Sequence, residues 1–184
     1  MNPIVATLLE VLKYTLPALI VLIASYLIVK KFLVTELQRK QIALLRESQD
    51  VTQRMRLQAY ERLILFTERI HPRNLPGRIY EKSMSAAEFA GAMQFTIRSE
   101  WEHNVSQQLY VSRQVWETLR GVKEQEIHMI NQLASQLPEG ASAADLHRRM
   151  VDAVLSESGE LPAEVAQQII HEEARKILTL GAIG

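Results

Sequence analysis

Cysteine is absent from this chain, and glycine and proline are scarce, at seven and six of 184 residues. Without a thiol there is no disulfide framework, no thiolate nucleophile and no zinc–thiolate site, and the chain suits a reducing compartment without requiring one. Apolar and polar residues do not alternate in the manner of strands, and no Gly-rich turn pair marks a hairpin, which leaves little room for β-structure. A phosphate loop with Lys-Ser/Thr and a Gly-x-Ser-x-Gly nucleophile turn are both missing. No internal repeat of fixed period and no low-complexity tract occurs. Neither sign of charge dominates, with 21 Lys and Arg against 21 Asp and Glu.

What is present begins with an uncharged run, Tyr14 to Val29, followed at once by Lys30 and Lys31. A helix needs about 20 residues to cross a bilayer core. Leu8, Leu9, Val11 and Leu12 extend the apolar surface upstream, and Phe32, Leu33 and Val34 extend it downstream. Lys13, Lys30 and Lys31 have stems long enough to reach headgroups. Tyr14 and Tyr26 lie near the two ends, where interfacial aromatics gather. Glu10 and Lys13 are spaced to pair on a helix. Pro17 falls in the first turns, where a kink or a helix start is tolerated. A cleaved signal peptide wants a basic n-region and small residues at the cleavage site. Here no basic side chain precedes Lys13, and Lys-Lys-Phe-Leu-Val follows the run. For so short a run, a helix buried in a soluble core is the other reading.

Basic residues flanking a span set its orientation. Lys30, Lys31, Arg39, Lys40 and Arg46 follow the run, against Lys13 and the terminal amine before it. The N-terminus is therefore expected outside and the long C-terminal part in the cytoplasm. The zero net charge hides two opposed halves. Residues 30–79 carry 11 Lys and Arg against 5 Asp and Glu, and residues 80–184 carry 9 against 15. A basic half beside the bilayer favours anionic headgroups. No nucleic-acid module accompanies it, so nucleic acid is not an expected partner.

Helical periodicity runs through the remainder. No Pro or Gly interrupts Lys30 to Ile70, and Val34, Leu37, Gln41, Leu44, Ser48, Val51 and Met55 recur at three-four spacing. One seam position is apolar (Leu37, Leu44, Val51) and the other mostly polar, as in a weak coiled coil or a stalk; packing of one stripe on the chain's own domain is the alternative. Apolar density rises from Leu57, and His71-Pro72 is expected to stop the helix. Ser85-Ala-Ala-Glu88 reads as a capping box opening a helix with Phe89, Met93, Ile97, Trp101 and Val105 on one stripe. Ser112 is a candidate cap for a segment with Val115, Trp116, Leu119, Val122, Ile127, Ile130 and Leu133, unless helix continues through the joint. Pro138-Glu-Gly140 ends it. Ser142-Ala-Ala-Asp145 opens a short helix with Leu146, Met150, Val154 and Leu155. Pro162 suits the first turn of a last helix, with Val165, Ile169, Ile170, Ile177 and Leu178. The expected fold is all-α: an N-terminal transmembrane helix (1–34) continuing into a stalk-like helix (35–71), then a cytoplasmic helical bundle (72–184).

The densest polar-aromatic cluster is Arg98 to Tyr110. Glu100 and His103 form Glu-x-x-His, a spacing that di-iron bundles use twice with further Glu ligands. His128 has Gln125 three residues back, and Glu68-x-x-His71 ends beside Pro72, so no second usable copy exists. The favoured reading is polar contact between helices by Glu100, His103, Asn104 and Gln107, with Trp101 and Trp116 packing inward. His171-Glu-Glu-Ala-Arg175 has Arg where a zinc protease needs its second His. No cofactor, metal site or catalytic residue is expected.

The stretches Leu57-Gln-Ala-Tyr-Glu-Arg-Leu63 and Glu100-Trp-Glu-His-Asn-Val-Ser-Gln-Gln-Leu-Tyr110 resemble an uncharacterised family of bacterial proteins with one N-terminal span and a helical cytoplasmic part. The resemblance implies a single-pass protein of the bacterial inner membrane and brings no activity. The expected function is a membrane-anchored scaffold that associates with itself or with a membrane-protein partner. An accessory subunit of a larger membrane complex is the alternative, and a metal-dependent bundle enzyme using Glu100 and His103 comes third.

Overall fold

The computed structural model describes residues 3–181. Helix makes up 86% of the described residues; among them no strand forms, only an isolated bridge between Ser85 and Ser142. The helices are α1 (Pro3–Ile70), α2 (Leu75–Ile79), α3 (Ala86–Asn104), α4 (Arg113–Ser135), α5 (Ala143–Ser156) and α6 (Pro162–Gly181), with a 3-10 helix (Val105–Leu109) between α3 and α4. Two compact units divide at Val51/Thr52.

The first unit is the part of α1 up to Val51. Its best 18-residue window has a mean hydropathy of 2.1, and none of that window is buried. The hydroxyls of Thr7, Thr15 and Thr35 donate to the carbonyls of Pro3, Val11 and Lys31, one turn back, at 2.8–3.0 Å. These bonds spare the hydroxyls a need for water. Lys13 lies over the Tyr14 ring at 5.9 Å instead of pairing with Glu10, and Lys30 lies over Tyr26 at 6.0 Å. Leu37, Leu44 and Val51 are exposed by half or more of their surface.

In the second unit, α1 buries Ala59, Tyr60, Leu63, Phe66, Thr67 and Ile70. It stops at Ile70, one residue before His71-Pro72, because a residue ahead of proline is pushed out of helical geometry. Met55, expected on a seam, remains exposed. Helix α4 is central and packs against α3, α5 and α6. Its inward stripe is Val115, Leu119, Val122, Ile127 and Ile130. Facing it are Phe89, Met93 and Ile97 of α3, Leu146 and Met150 of α5, and Ala163, Ala166, Ile170 and Ile177 of α6.

Four expected stripe members fall outside the core. Val105 is exposed because α3 ends at Asn104 and the chain tightens into the 3-10 helix, which rotates the next side chains off the stripe. Leu155 and Leu178 are exposed, and Val165 is more than a third exposed. In α6 the inward positions are Ala163, Ala166, Ile170 and Ile177, and Val165 and Leu178 lie off that stripe.

Both capping boxes form. Ser85 N–H donates to Glu88 Oε2 at 2.9 Å while Glu88 N–H donates to Ser85 Oγ at 3.2 Å. Ser142 and Asp145 repeat the exchange at 3.0 and 3.4 Å. These bonds from the serines hold both carboxyls below the ordinary range. The N-termini of α3 and α5 are tied side by side, Ala86 N–H to Ala141 O at 2.9 Å and Ala143 N–H to Met84 O at 3.0 Å. Gly140 precedes this tie with φ +83°, a conformation that a side chain would strain.

Leu119, fully buried on α4, and Leu109, 78% exposed on the 3-10 helix, give a direct test of this core. Leu119→Ala is expected to lower unfolding free energy by about 3 kcal/mol, and Leu109→Ala by less than about 0.5 kcal/mol. Denaturant titration followed by helical circular dichroism measures both.

Candidate functional site

The Glu-x-x-His pair of α3 faces arginines of α1. Arg69 Nη1 donates to both carboxylate oxygens of Glu100 at 3.1 Å, and Arg62 Nη2 lies 3.2 Å from His103 Nε2. His103 is exposed. A cation between Glu100 and His103 would have to displace two guanidinium groups. Among the described residues, no three of His, Cys, Asp and Glu are grouped to hold a metal ion. Asn104 and Gln107 are buried but bond locally, to Glu100 O and Ser106 Oγ.

Trp101 and Trp116 meet on the same side of the bundle, their rings stacked 4.4 Å apart. Phe66 packs on Trp101 at 5.8 Å, and Lys123 Nζ lies 5.0 Å over its ring. Neither Trp is fully buried; both pack against the rim of the core. Their spacing on α3 and α4 was legible in the sequence, whereas the stacking depends on how the two helices cross. Leu37, Leu44, Val51 and Met55 join no such cluster.

A second polar group ties the joint before α4 to α1 on one side and to α6 on the other. Arg56 donates from Nε to Tyr110 O at 3.1 Å and from Nη2 to Tyr60 Oη at 3.4 Å. Ser112 Oγ accepts from Val115 N–H at 3.2 Å as the cap of α4, and donates to Glu173 Oε2 at 2.8 Å. Burial raises the Tyr60 hydroxyl above its ordinary range, with Glu173 adding to the effect. These contacts fix α1, α4 and α6 in register, and every polar group in them is satisfied.

Glu126 is the exception. It is 4% exposed, and no hydrogen bond or ion pair reaches its carboxyl among the described residues. It lines an open cleft of about 480 Å³ between α4, the turn at Pro72 and the segment joining α5 to α6. Met129, Leu161 and Pro162 supply apolar wall. Burial pushes the carboxyl up to about 8, so it is protonated at neutral pH. A neutral acid in an apolar cleft can donate a hydrogen bond or, on losing its proton, hold a cation. The sequence carried a signal for it: Val115, Leu119, Val122, Glu126, Ile130 and Leu133 fall at three-four spacing, placing a carboxyl on the inward stripe of α4.

Across the same turn, His71 Nδ1 accepts from Arg73 N–H at 3.1 Å. Arg73 Nη1 pairs with Glu164 at 2.9 Å, and His71 Nε2 lies 3.9 Å from that carboxylate. Burial lowers the His71 ring below its ordinary range despite Glu164. The fold therefore weakens as pH falls below about 6.5, where the unfolded ring gains a proton that the folded ring resists.

Glu126 acts in the opposite sense. Between its ordinary value near 4.5 and the folded value near 8, the folded chain keeps a proton that the unfolded chain has lost. Stability therefore falls as pH rises through that window, by an amount on the order of a few kcal/mol. Glu126→Gln should remove this slope, and at pH 8.5 should melt several degrees above the parent chain. Melting temperatures of both chains from pH 5 to 8.5 isolate the Glu126 contribution from that of His71.

No curated protein and no solved structure matches the chain. A family model does match, over residues 6–177, which takes in most of α1, the Glu100–Tyr110 stretch, the cleft and most of α6. The chain thus belongs to a family of unknown function, DUF7935.

Proposed function

We propose that the protein is a non-enzymatic, membrane-anchored helical scaffold that acts through association on the cytoplasmic face of the bacterial inner membrane. The observation that carries this reading is the apolar stretch of α1, of which none of the best window is buried. In water such a surface is unfavourable by about 25 cal/mol per Å², and a bilayer removes that cost. The threonine back-bonds and the Lys–Tyr contacts near both ends of the run fit the same setting. Lys30 and Lys31 argue for the N-terminus outside. Leu37, Leu44 and Val51 recur every seven residues and are exposed, which favours pairing with a second helix. Anchoring in two dimensions raises the effective concentration at which so thin a seam associates.

The acidic excess of residues 80–184 supports the second reading, an accessory subunit of a larger membrane complex. The absence of native cysteine makes the two separable by single-cysteine cross-linking in membranes. With Leu44→Cys or Val51→Cys, oxidation is expected to yield a homodimer, while Lys40→Cys and Glu47→Cys on the flanks should not. Monomer at all four positions, together with a monomeric mass in mild detergent, would refute self-association and leave the partner reading. Alkaline phosphatase fused after Gly184 should be inactive, and an active fusion there would refute the topology.

A further inference from the structure

The cleft beside Glu126 plays no part in anchoring or pairing. Its wall combines Met129, Leu161, Pro72 and Pro162 with three carboxyls, Glu124, Glu126 and Glu157, and no Lys or Arg lines it. Its size suits a small organic molecule. Glu124 and Glu157 are exposed; Glu126 is the one carboxyl held inside, without a partner. We infer that this cleft binds a small organic cation with an apolar body, its charged head taken by Glu126 and its body by Met129, Leu161 and the two prolines.

Charge complementarity and desolvation point the same way. An anion would meet the carboxylates of Glu124 and Glu157 and no Lys or Arg. A neutral apolar ligand would leave the buried carboxyl without a partner, whereas a cation satisfies it as an ion pair in an apolar setting. The carboxyl is protonated before binding at pH 7, since it loses its proton only near pH 8. Binding therefore moves one proton from the Glu126 carboxyl to the buffer as the cation takes its place. The other ionisable groups around the cleft are Glu124 and His128 on α4 and Glu157 beyond α5. Lys123 is engaged with Glu124 and Trp101, and His71 and Arg73 with Glu164.

Benzamidine is a suitable probe, because its planar amidinium stays charged near neutral pH and can bond both oxygens of one carboxylate. Calorimetric titration of the full chain in a neutral detergent should give saturable one-to-one binding at pH 7. Repeating it in buffers of different ionisation enthalpy should show release of about one proton. Benzamide, the neutral isostere, should bind about tenfold more weakly or worse. Glu126→Gln should lose about tenfold or more, and Glu124→Gln, at the exposed rim, only about twofold. Met129→Trp, which fills the cleft and leaves Glu126 in place, should abolish binding. The absence of saturable heat with the parent chain would overturn the assignment. So would unchanged affinity in Glu126→Gln, equal affinity for benzamide, or binding without proton release, which the parent chain reports without any variant having to fold.

Discussion

The structure depends on covering the inward stripe of α4. Val115, Leu119, Val122, Ile127 and Ile130 are removed from water only if α3, α5 and α6 all pack on that one helix, and all three do. None of the shorter helices has an apolar face that would hold it alone, since short isolated helices are marginal in water. The remaining features serve to bring them to α4 at fixed angles. Capping boxes start α3 and α5, and the Ser85–Ser142 bridge holds those two starts together. Ser112 both caps α4 and reaches Glu173 of α6, so one hydroxyl sets where a helix begins and what lies beside it.

Against that arrangement Glu126 stands out. Every other buried polar side chain of the second unit has a partner: Thr67 bonds Ile64 O, His71 bonds Arg73 N–H, and Asn104 and Gln107 bond their neighbours. A leucine at 126 would have continued the α4 stripe at no electrostatic cost. The carboxyl instead makes the fold weaker as pH rises toward 8. Local rules broken without a compensating contact are what a binding site produces. The metal reading of Glu100 and His103 lacks that character, because their contacts are those of helix packing, with Arg69 and Arg62 as partners.

The two units present opposite surfaces. From Thr52 onward, the core follows the soluble pattern, with large side chains such as Tyr60, Phe66 and Phe89 almost wholly buried. Up to Val51, the described apolar side chains are exposed. A surface of that kind is compatible with lipid or another chain and poorly compatible with water. The proposed scaffold reading rests on that contrast, and the inferred cation cleft belongs to the second unit by itself.

Where helices start and stop was legible in the sequence, because those signals are local. Pro72 ends α1, Ser85 with Glu88 and Ser142 with Asp145 open helices, and Pro138 to Gly140 follow the end of α4. The family resemblance carried by Leu57–Leu63 and Glu100–Tyr110 was also legible, and it agrees with the family to which the chain belongs. The inward stripes were legible wherever three-four spacing met bulky residues, as in α4. In α6 Ile170 and Ile177 lie inward as expected, while Ala163 and Ala166 take inward positions in place of Val165. Tertiary structure alone decided that Trp101 stacks on Trp116, that Glu100 and His103 face arginines, and that the turn at Pro72 meets the α5–α6 segment to form a cleft. Each of these depends on residues far apart in the chain, brought together by helix crossing angles that no local sequence signal specifies.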